Sequence, residues 1–353
     1  MSNYIISGIQ QIGIGVSNVT EGFKWYNQNF GMDVPIFEEA AEANLMLPYT
    51  GGKPHQRHAI LAINLKGGGG FEIWQYTSRI PQPPAFTPQL GDLGLFCAKI
   101  KSENINASFD FFNSKQIKVL GPITKNPENK NHFFIQDAFG NFFEIIEDSV
   151  WFGKGLKTTG GPIGMIIGVS NLEKSIQFYS EILGYDSVLF KGENSFEDLA
   201  VLPGGSVKTK RAILTHSKSR VGPFSKLFGT SYIELIEAQN YHPRAIFENR
   251  LWGDLGFIHL CFDIKNMAAL KVKCEAAGHP FTIDGGSGFE MGEAAGHFTY
   301  IEDPDKTLIE FVETKKIPIL KKFGWYLDLR KRTPEKALPN WMLKFLSFNR
   351  KTF

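Results

Sequence analysis

The sequence predicts an α+β fold in which one βαβββ module, a strand followed by a helix and three strands, occurs four times as two tandem pairs. The segment 10–33 matches the segment 163–186 in the order of its features: an apolar stretch ending in Gly-Val-Ser-Asn, an amphipathic stretch with aromatic residues, and a glycine shortly before an aspartate. Gly-Asp-Leu-Gly at 91–94 recurs at 253–256. Because similarity at a fixed distance along a chain indicates a repeated structural unit, these matches predict two related halves.

Each half divides again into two modules. After Gly-Asp-Leu-Gly, an apolar strand begins a second strand-helix unit, which a turn sequence and an apolar strand close at 136–147 and 302–313. The four predicted modules cover residues 6–77, 92–148, 162–238 and 254–314. The first half is predicted at 1–148, a glycine-rich linker at 149–161, the second half at 162–314 and a basic tail at 315–353.

The helices of modules one and three have matching start and end signals. The asparagine of each Val-Ser-Asn motif is suited to cap a helix, because its side chain accepts hydrogen bonds from free backbone N–H groups of the first turn. Gly31 and Gly184 lie where the end of a helix favours a left-handed residue. The aromatic pairs at 25–26 and 178–179 fall on the apolar face of each predicted helix.

Composition indicates a folded protein. Of 353 residues, 42% are apolar, which is enough for a buried core in each half. The starting segment MSNYIISGIQ lacks the features of a secretory signal, and no stretch is apolar for the length of a membrane span. We therefore expect a soluble, cytoplasmic protein. Cys97, Cys261 and Cys274 have no CxxC spacing, so we expect small buried residues rather than a disulfide framework or a zinc ribbon.

Charge is concentrated in the tail. Residues 315–353 contain eleven lysines and arginines against two acidic residues, whereas the whole chain has a net charge of +2. A basic amphipathic tail can contact nucleic acid or an anionic membrane. We expect instead that WYLDL and WMLKFLSF pack on the globule with their lysine head groups in solvent. The acidic remainder argues against a nucleic-acid partner, and no membrane partner is expected beyond weak surface binding by the tail.

An acidic residue occupies the same position in the closing strand of every module. These residues are Glu72, Glu144, Glu234 and Glu310. A single glutamate in an apolar strand usually faces solvent. Four at one repeat position favour a function, although common ancestry of the modules also accounts for them. Because side chains alternate along a strand, Trp74 and Tyr76 share the face of Glu72.

The opening strands differ between modules. Aligning LFCAKIKS with HLCFDIKN places Leu95 opposite His259, and aligning the Val-Ser-Asn motifs places Gly164 opposite Gln11. Modules one and four therefore hold a complete set of ligand-type residues, and modules two and three hold a degenerate one. The complete set is Gln11, Glu72, His259 and Glu310.

The residue types in this set suit one divalent metal ion. An imidazole nitrogen, two carboxylates and an amide oxygen favour Zn, Ni, Mn, Co or Fe(II). Two carboxylates this close without a cation would repel each other or share a proton. We therefore predict a single site for one divalent metal ion, with a small-molecule substrate beside it.

The repeat motifs resemble those of a known family. The segments 10–33 and 163–186, with DAFGNFFEIIE and DPDKTLIEFVE, are similar to the vicinal oxygen chelate superfamily, which includes glyoxalase I, extradiol dioxygenases, methylmalonyl-CoA epimerase and the fosfomycin- and bleomycin-resistance proteins. The resemblance covers about 6–314. It implies two glyoxalase/bleomycin-resistance/dioxygenase-type domains, in which paired modules form a U-shaped sheet around a metal held by the first and last strands.

The ligand order Gln, Glu, His, Glu is similar to glyoxalase I of the eukaryotic kind. The resemblance implies that module one pairs with module four and module two with module three, as the complete ligand set also requires. It implies that Glu310 is the base that moves a proton next to a carbonyl, that Glu72 is its counterpart, and that the metal stabilises the enediolate oxygen. Glutathione-using members carry arginines at the positions of Gly15 and Leu255, so glutathione is not the expected substrate.

We therefore expect a metal-dependent lyase or isomerase of the glyoxalase type that acts on a small carbonyl or vicinal-oxygen compound. A monomer suffices, because the duplication supplies both halves of the site. Candidate pocket residues are Trp74, Tyr76, His58 and His297, with Arg57 as a further candidate. Core packing also accounts for the aromatic residues in this group.

Two alternatives remain open. One is an Fe(II) ring-cleaving dioxygenase, whose family pairs modules three and four and uses two histidines and one glutamate; here Gly164 occupies the first histidine position. The other is a non-catalytic protein that binds a small molecule between its modules, as resistance proteins do. Consumption of oxygen with a catechol would favour the first, and stoichiometric stabilisation by a ligand that is never consumed would favour the second.

Overall fold

The computed structural model of the protein describes residues 4–286, 289–291, 294–320 and 324–353. Its strands form two mixed sheets with helices packed against them, which gives the predicted α+β class. Lys321 and Lys322 of the basic tail lie outside the described residues.

Modules one and two have the predicted order of one strand, one helix and three strands. Module one contains β1 (Ile5–Gly15), α1 (Val19–Phe30), β2 (Val34–Glu42), β3 (Gln56–Ile63) and β4 (Gly70–Tyr76). Module two contains β5 (Gly94–Ser102), α2 (Ile105–Ser114), β6 (Lys118–Lys125), β7 (Asn131–Gln136) and β8 (Phe142–Glu147).

Modules three and four add short elements to the same plan. Module three contains β9 (Thr159–Gly168), α3 (Leu172–Glu181), β10 (Ser187–Asn194), β11 (Thr209–Thr215), the short helix α4 (Ser225–Phe228) and β12 (Tyr232–Ala238). Module four contains β13 (Gly256–Lys265), α5 (Met267–Ala276), β14 (Ile283–Asp284), β15 (Phe289–Met291), β16 (Ala294–Glu302) and β17 (Leu308–Leu320). The tail adds β18 (Trp325–Asp328) and α6 (Asn340–Lys344).

Each sheet takes its strands from two modules that belong to different halves of the sequence. The first sheet has the order β14-β16-β17-β13-β1-β4-β3-β2, with β15 on β16 and β18 on β17, and the second has the order β10-β11-β12-β9-β5-β8-β7-β6. The opening strands join the modules, because β1 pairs antiparallel with β13 and β5 pairs antiparallel with β9. The predicted pairing of module one with four and of module two with three is confirmed.

Two strands extend beyond the predicted boundaries. β9 begins at Thr159, so the last residues of the predicted linker 149–161 belong to a strand. Glycines at this point suggested flexibility, but a Cβ on Gly161 would lie 2.1 Å from the carbonyl oxygen of Gly69, so glycine serves close backbone packing. β17 continues past residue 314 to Leu320 and pairs with β18, so the tail begins as an extension of the last strand.

The helix signals of modules one and three are confirmed. The side chains of Asn18 and Asn171 accept hydrogen bonds from backbone N–H groups in the first turns of α1 and α3. Gly31 and Gly184 have left-handed φ angles of 70° and 69°.

One continuous apolar core contains residues of both sheets and of the helices. The rings of Phe30 on α1 and Phe143 on β8 are 5.0 Å apart, so a helix of module one packs against a strand of module two. The three cysteines are buried and free, as predicted.

The C-terminal tail packs on the first sheet. Leu338, Leu343 and Leu346 are buried in a cluster that includes Ile63, whereas Lys344 is exposed. The tail therefore has the predicted amphipathic arrangement. Within the described part of the chain, no helix is long and apolar enough to cross a membrane.

Candidate functional site

Strand pairing in the first sheet brings three predicted ligands together. Glu72 lies on β4 beside β1, Glu310 lies on β17 beside β13, and His259 lies on β13 opposite Gly13 of β1. One ligand atom from each of Glu72, His259 and Glu310 lies within 4.8 Å of the others, and all three residues are buried. The cluster therefore depends on the pairing of modules one and four.

Two carboxylates make the centre of this cluster strongly anionic. His259 Nε2 is 3.3 Å from Glu72 Oε2 and 3.1 Å from Glu310 Oε2. Burial alone would lower the pKa of the imidazole, but the two carboxylates outweigh it and raise the pKa of His259 to about 10. The negative potential that favours a proton here also favours a metal cation.

Gln11 completes the candidate ligand set. Its Nε2 donates hydrogen bonds to Glu72 Oε2 at 2.9 Å and to Glu310 Oε2 at 3.4 Å, while Gln11 Oε1 is buried without a hydrogen-bond partner. Buried polar atoms without partners are unusual. Because the two ends of an amide differ only by a rotation, Oε1 has access to the same point as the carboxylates. One imidazole nitrogen and three oxygen donors fit a divalent metal ion.

Neighbouring residues fix the orientation of the His259 ring. The Tyr300 hydroxyl is 3.3 Å from Nδ1, and the Trp252 ring lies nearly parallel to the imidazole with a centroid distance of 6.3 Å. A Cβ on Gly13 would lie 2.4 Å from the imidazole Cε1, so only glycine leaves room for the ring. Contacts of this kind direct Nε2 toward the carboxylates and, in metal sites, hold a histidine ligand in place.

Two cavities meet at Glu310. The first is largely apolar, includes His297 in its wall, and has an empty volume of about 920 Å³ including its open mouth. The second has about 810 Å³ by the same measure, and its wall includes Glu72, Trp74 and Arg57. The structure therefore brings Trp74, His297 and Arg57, three of the predicted pocket residues, to cavities that adjoin the candidate ligands.

Two other predicted pocket residues do not line these cavities. Tyr76 shares the face of Glu72 but lies at the far end of β4, where its hydroxyl donates to the backbone carbonyl of Trp252. His58 lies on the face of β3 opposite to that of Arg57, because neighbouring side chains alternate along a strand. It contacts Glu38 at 3.4 Å instead.

The second sheet has a cation of its own at the equivalent place. Glu144 and Glu234 are fully buried, and Lys99 Nζ forms ion pairs with both, at 2.6 Å in the case of Glu234. Gly164 lies opposite Lys99 on the neighbouring strand, and a Cβ there would be 2.9 Å from Lys99 Cδ. The lysine ammonium therefore lies between the two glutamates where the first sheet has its candidate metal ligands. Sequence reasoning missed Lys99.

Strand register identifies the counterpart of Lys99. In the second sheet Glu144 pairs with Lys99, and in the first sheet Glu310 pairs with Cys261. Lys99 therefore corresponds to Cys261. Gln11 pairs with Cys261 in the first sheet, and Lys99 pairs with Gly164 in the second, so each long polar side chain lies opposite a small residue.

The same register corrects one alignment. His259 lies two residues before Cys261, so its counterpart is Cys97. The predicted match of Leu95 with His259 is wrong by two residues. The repeated Gly-Asp-Leu-Gly carried the correct signal, because an alignment without gaps from that motif places Cys97 opposite His259. Gln11 pairs with Gly70, two residues before Glu72, and Gly164 pairs with Tyr232, two residues before Glu234. The predicted match of Gly164 with Gln11 therefore agrees with the register.

Lys99 belongs to a larger buried ion network. His132 Nδ1 is 2.7 Å from Glu144 Oε1, and Arg211 Nε donates to Glu234 Oε1 at 2.7 Å. Every carboxylate oxygen of the two glutamates therefore has a partner. Burial opposes ionisation, but Lys99 and His132 hold the pKa of Glu144 well below its usual range.

Comparison with known proteins gives a consistent result for the fold. A family model described as Glyoxalase/Bleomycin resistance protein/Dioxygenase superfamily matches residues 8–145 and 162–311. Glyoxalase I from Zea mays is 14% identical, with a TM-score of 0.53 over 87% of this chain and 92% of that chain. A putative dioxygenase from Bacillus subtilis subsp. subtilis str. 168 is 12% identical, with a TM-score of 0.58 over 88% and 86%. A search of curated proteins found no match.

Proposed function

The chain belongs to the glyoxalase/bleomycin resistance protein/dioxygenase superfamily, and on that basis we propose that it is a metal-dependent lyase or isomerase. The reaction is proton transfer between adjacent carbons of a small carbonyl compound with neighbouring oxygen atoms. The observation that supports this proposal is the buried cluster of Glu72, His259 and Glu310, whose ligand atoms lie within 4.8 Å of one another beside two cavities.

Gln11, Glu72, His259 and Glu310 would hold the divalent cation. The unpaired buried Oε1 of Gln11 and the mixed nitrogen and oxygen donors of the set fit Zn, Ni, Mn, Co or Fe(II). When bound, such an ion supplies Lewis-acid polarisation of the substrate oxygens, which makes the neighbouring C–H group more acidic.

Glu310 is the proposed base. Glu310 lines both cavities, so a substrate bound in either one can present a carbon to its carboxylate. Glu310 removes a proton from the carbon next to the carbonyl and returns it to the adjacent carbon. Glu72 borders only the second of the two cavities and is the proposed counterpart on that side.

Elemental analysis of the protein as isolated, and of Glu72→Ala and His259→Ala, tests the metal site. We expect about one equivalent of a divalent metal in the wild type and loss of metal in both variants. Glu234→Gln is the matched control, because Glu234 has the same repeat position in the second sheet and should leave the metal in place. Retention of metal in Glu72→Ala would contradict the site shared by modules one and four.

Glu310→Gln tests the chemical role of the base. With a substrate deuterated next to its carbonyl, the wild-type protein should release deuterium to water. In Glu310→Gln the rate of this release should fall at least 10²-fold. Deuterium release at the wild-type rate would show that another group removes the proton.

The ring-cleaving alternative receives no support from the module arrangement. The resemblance to ring-cleaving dioxygenases requires metal ligands from modules three and four in one sheet. Here module three lies in the second sheet and module four in the first. The cluster of Glu72, His259 and Glu310 also contains one histidine rather than two.

A further inference from the structure

Two segments from outside modules one and four form part of the wall of the apolar cavity beside Glu310. Phe224 precedes α4 and Phe228 is its last residue, so both come from module three, whereas Leu346 comes from the tail. In module one the corresponding connection between β3 and β4 is the short segment 64–69, so the wall at α4 is an addition to the repeat.

Apolar groups form nearly all of the wall away from Glu310. They include Leu61, Ile63, Phe224, Phe228, Ile317 and Leu346. Among the described lining residues there is no lysine or arginine. Gln10, Thr314 and His297 add polar groups. Gln10 Nε2 donates to Thr314 Oγ1 at 3.2 Å, and His297 Nε2 is 2.6 Å from Asp284 Oδ1, so much of their hydrogen-bonding capacity is used within the protein.

A cavity with this wall favours hydrocarbon. Transfer of apolar surface from water into such a site is favourable in proportion to its area. A charged group would lose its hydration there without gaining a partner of opposite charge. Glu310 is the acidic residue in the wall of this cavity.

We propose that this cavity binds an alkyl or aromatic group of the substrate. The substrate is then amphipathic: its adjacent oxygens lie at the cluster around Glu310, and its hydrocarbon group extends toward Phe228 and Leu346. Those two residues determine how long a hydrocarbon group the enzyme accepts. The inference rests on the proposed function, because it takes Glu310 and the metal ligands as the reactive end of the site.

Alkyl hydroxamates are suitable probes, since they present two adjacent oxygens to a metal and carry a chain of chosen length. Binding of acetohydroxamate, butanohydroxamate, hexanohydroxamate and octanohydroxamate to the zinc-loaded full-length protein is measured by titration calorimetry. We expect the affinity to rise by about four-fold for each added methylene until the chain reaches Leu346.

Three variants test the position of the chain. Leu346→Trp should remove most of the gain for octanohydroxamate while leaving acetohydroxamate unchanged. Leu346→Ala, which shortens the same side chain, should shift the preference toward decanohydroxamate. Phe348→Trp is the control, because Phe348 lies on the same tail segment but is 66% exposed and does not line the cavity; its chain-length profile should equal that of the wild type.

The outcomes separate this inference from the proposed function. If acetohydroxamate binds only in the presence of zinc but affinity does not change with chain length, the hydrocarbon site is wrong and the metal site stands. If the profile changes equally in Leu346→Trp and Phe348→Trp, the inference is also overturned. If no hydroxamate shows zinc-dependent binding, the proposed metal site fails, and this inference fails with it.

Discussion

Replacing Lys99 with methionine removes the only positive charge that contacts both Glu144 and Glu234 among the described residues. Methionine keeps a flexible side chain of similar length, so packing changes little. The two glutamates, both fully buried, then face each other without the shared ammonium ion. His132 still contacts one oxygen of Glu144, and Arg211 still contacts one oxygen of Glu234.

The magnitude follows from the burial of the partners. Removing one member of a buried ion pair leaves an uncompensated charge and costs about 3 to 5 kcal/mol. We expect Lys99→Met to lower the free energy of unfolding by that amount, as measured by urea denaturation at pH 7. Adding Glu144→Gln to Lys99→Met should recover part of the loss, because it removes one of the two facing charges.

Lys101→Met is the matched control. Lys101 lies two residues along the same strand and is also buried, but its nearest carboxylate, on Asp148, is 3.8 Å away, and burial lowers the pKa of Lys101. Its replacement should cost clearly less than that of Lys99. A loss below about 1 kcal/mol for Lys99→Met, or an equal loss for both variants, would refute the reasoning.

The pH dependence of Lys99→Met has a defined sign. Because Lys99 and His132 hold the pKa of Glu144 below its usual value of 4.5, Glu144 adds stability that is fully present above pH 4.5 and is lost as the pH falls toward its lower folded-state pKa. The difference between wild type and Lys99→Met should therefore be largest near pH 7 and shrink below pH 4.5. A difference that grows on acidification would contradict this account.

Three further predictions concern other parts of the chain. Gly13→Ala should displace the His259 ring and abolish metal binding in elemental analysis, and full metal content would contradict the required glycine. Leu343→Ala should lower the free energy of unfolding by about 2 to 5 kcal/mol, whereas Trp341→Ala, at a residue 54% exposed whose ring contacts the edge of the tail at Phe345, should lower it by clearly less; equal effects would refute the packing of the tail. The three buried cysteines should not react with a thiol reagent until urea unfolds the protein.

The repeat and its ligand set, together with the resemblance to a known family, predicted the pairing of modules and the meeting of Glu72, His259 and Glu310. Each glutamate has the same position in its module, and strand alternation then places it on a defined face. His259 and Gln11 stood out because the other modules lack them.

Other features depended on details that the repeat does not carry. Lys99 was missed because an alignment with a two-residue error hid its correspondence with Cys261. The face of His58 follows from the pairing register of β3 with β4, which alternation within one strand does not define. The walls supplied by α4 and the tail lie outside the repeated elements, so no comparison between modules predicts them.

The nested pairing of modules also sets an order for folding during synthesis. β5 and β9 leave the ribosome in close succession, and every strand of the second sheet, which holds the Lys99 ion network, is synthesised before module four. β1 has to wait for Gly256–Lys265, and until then its backbone N–H and C=O groups on that edge have no partner strand. The candidate site therefore assembles after the second sheet, and the unpaired edge of β1 exposes the nascent chain to aggregation during that interval.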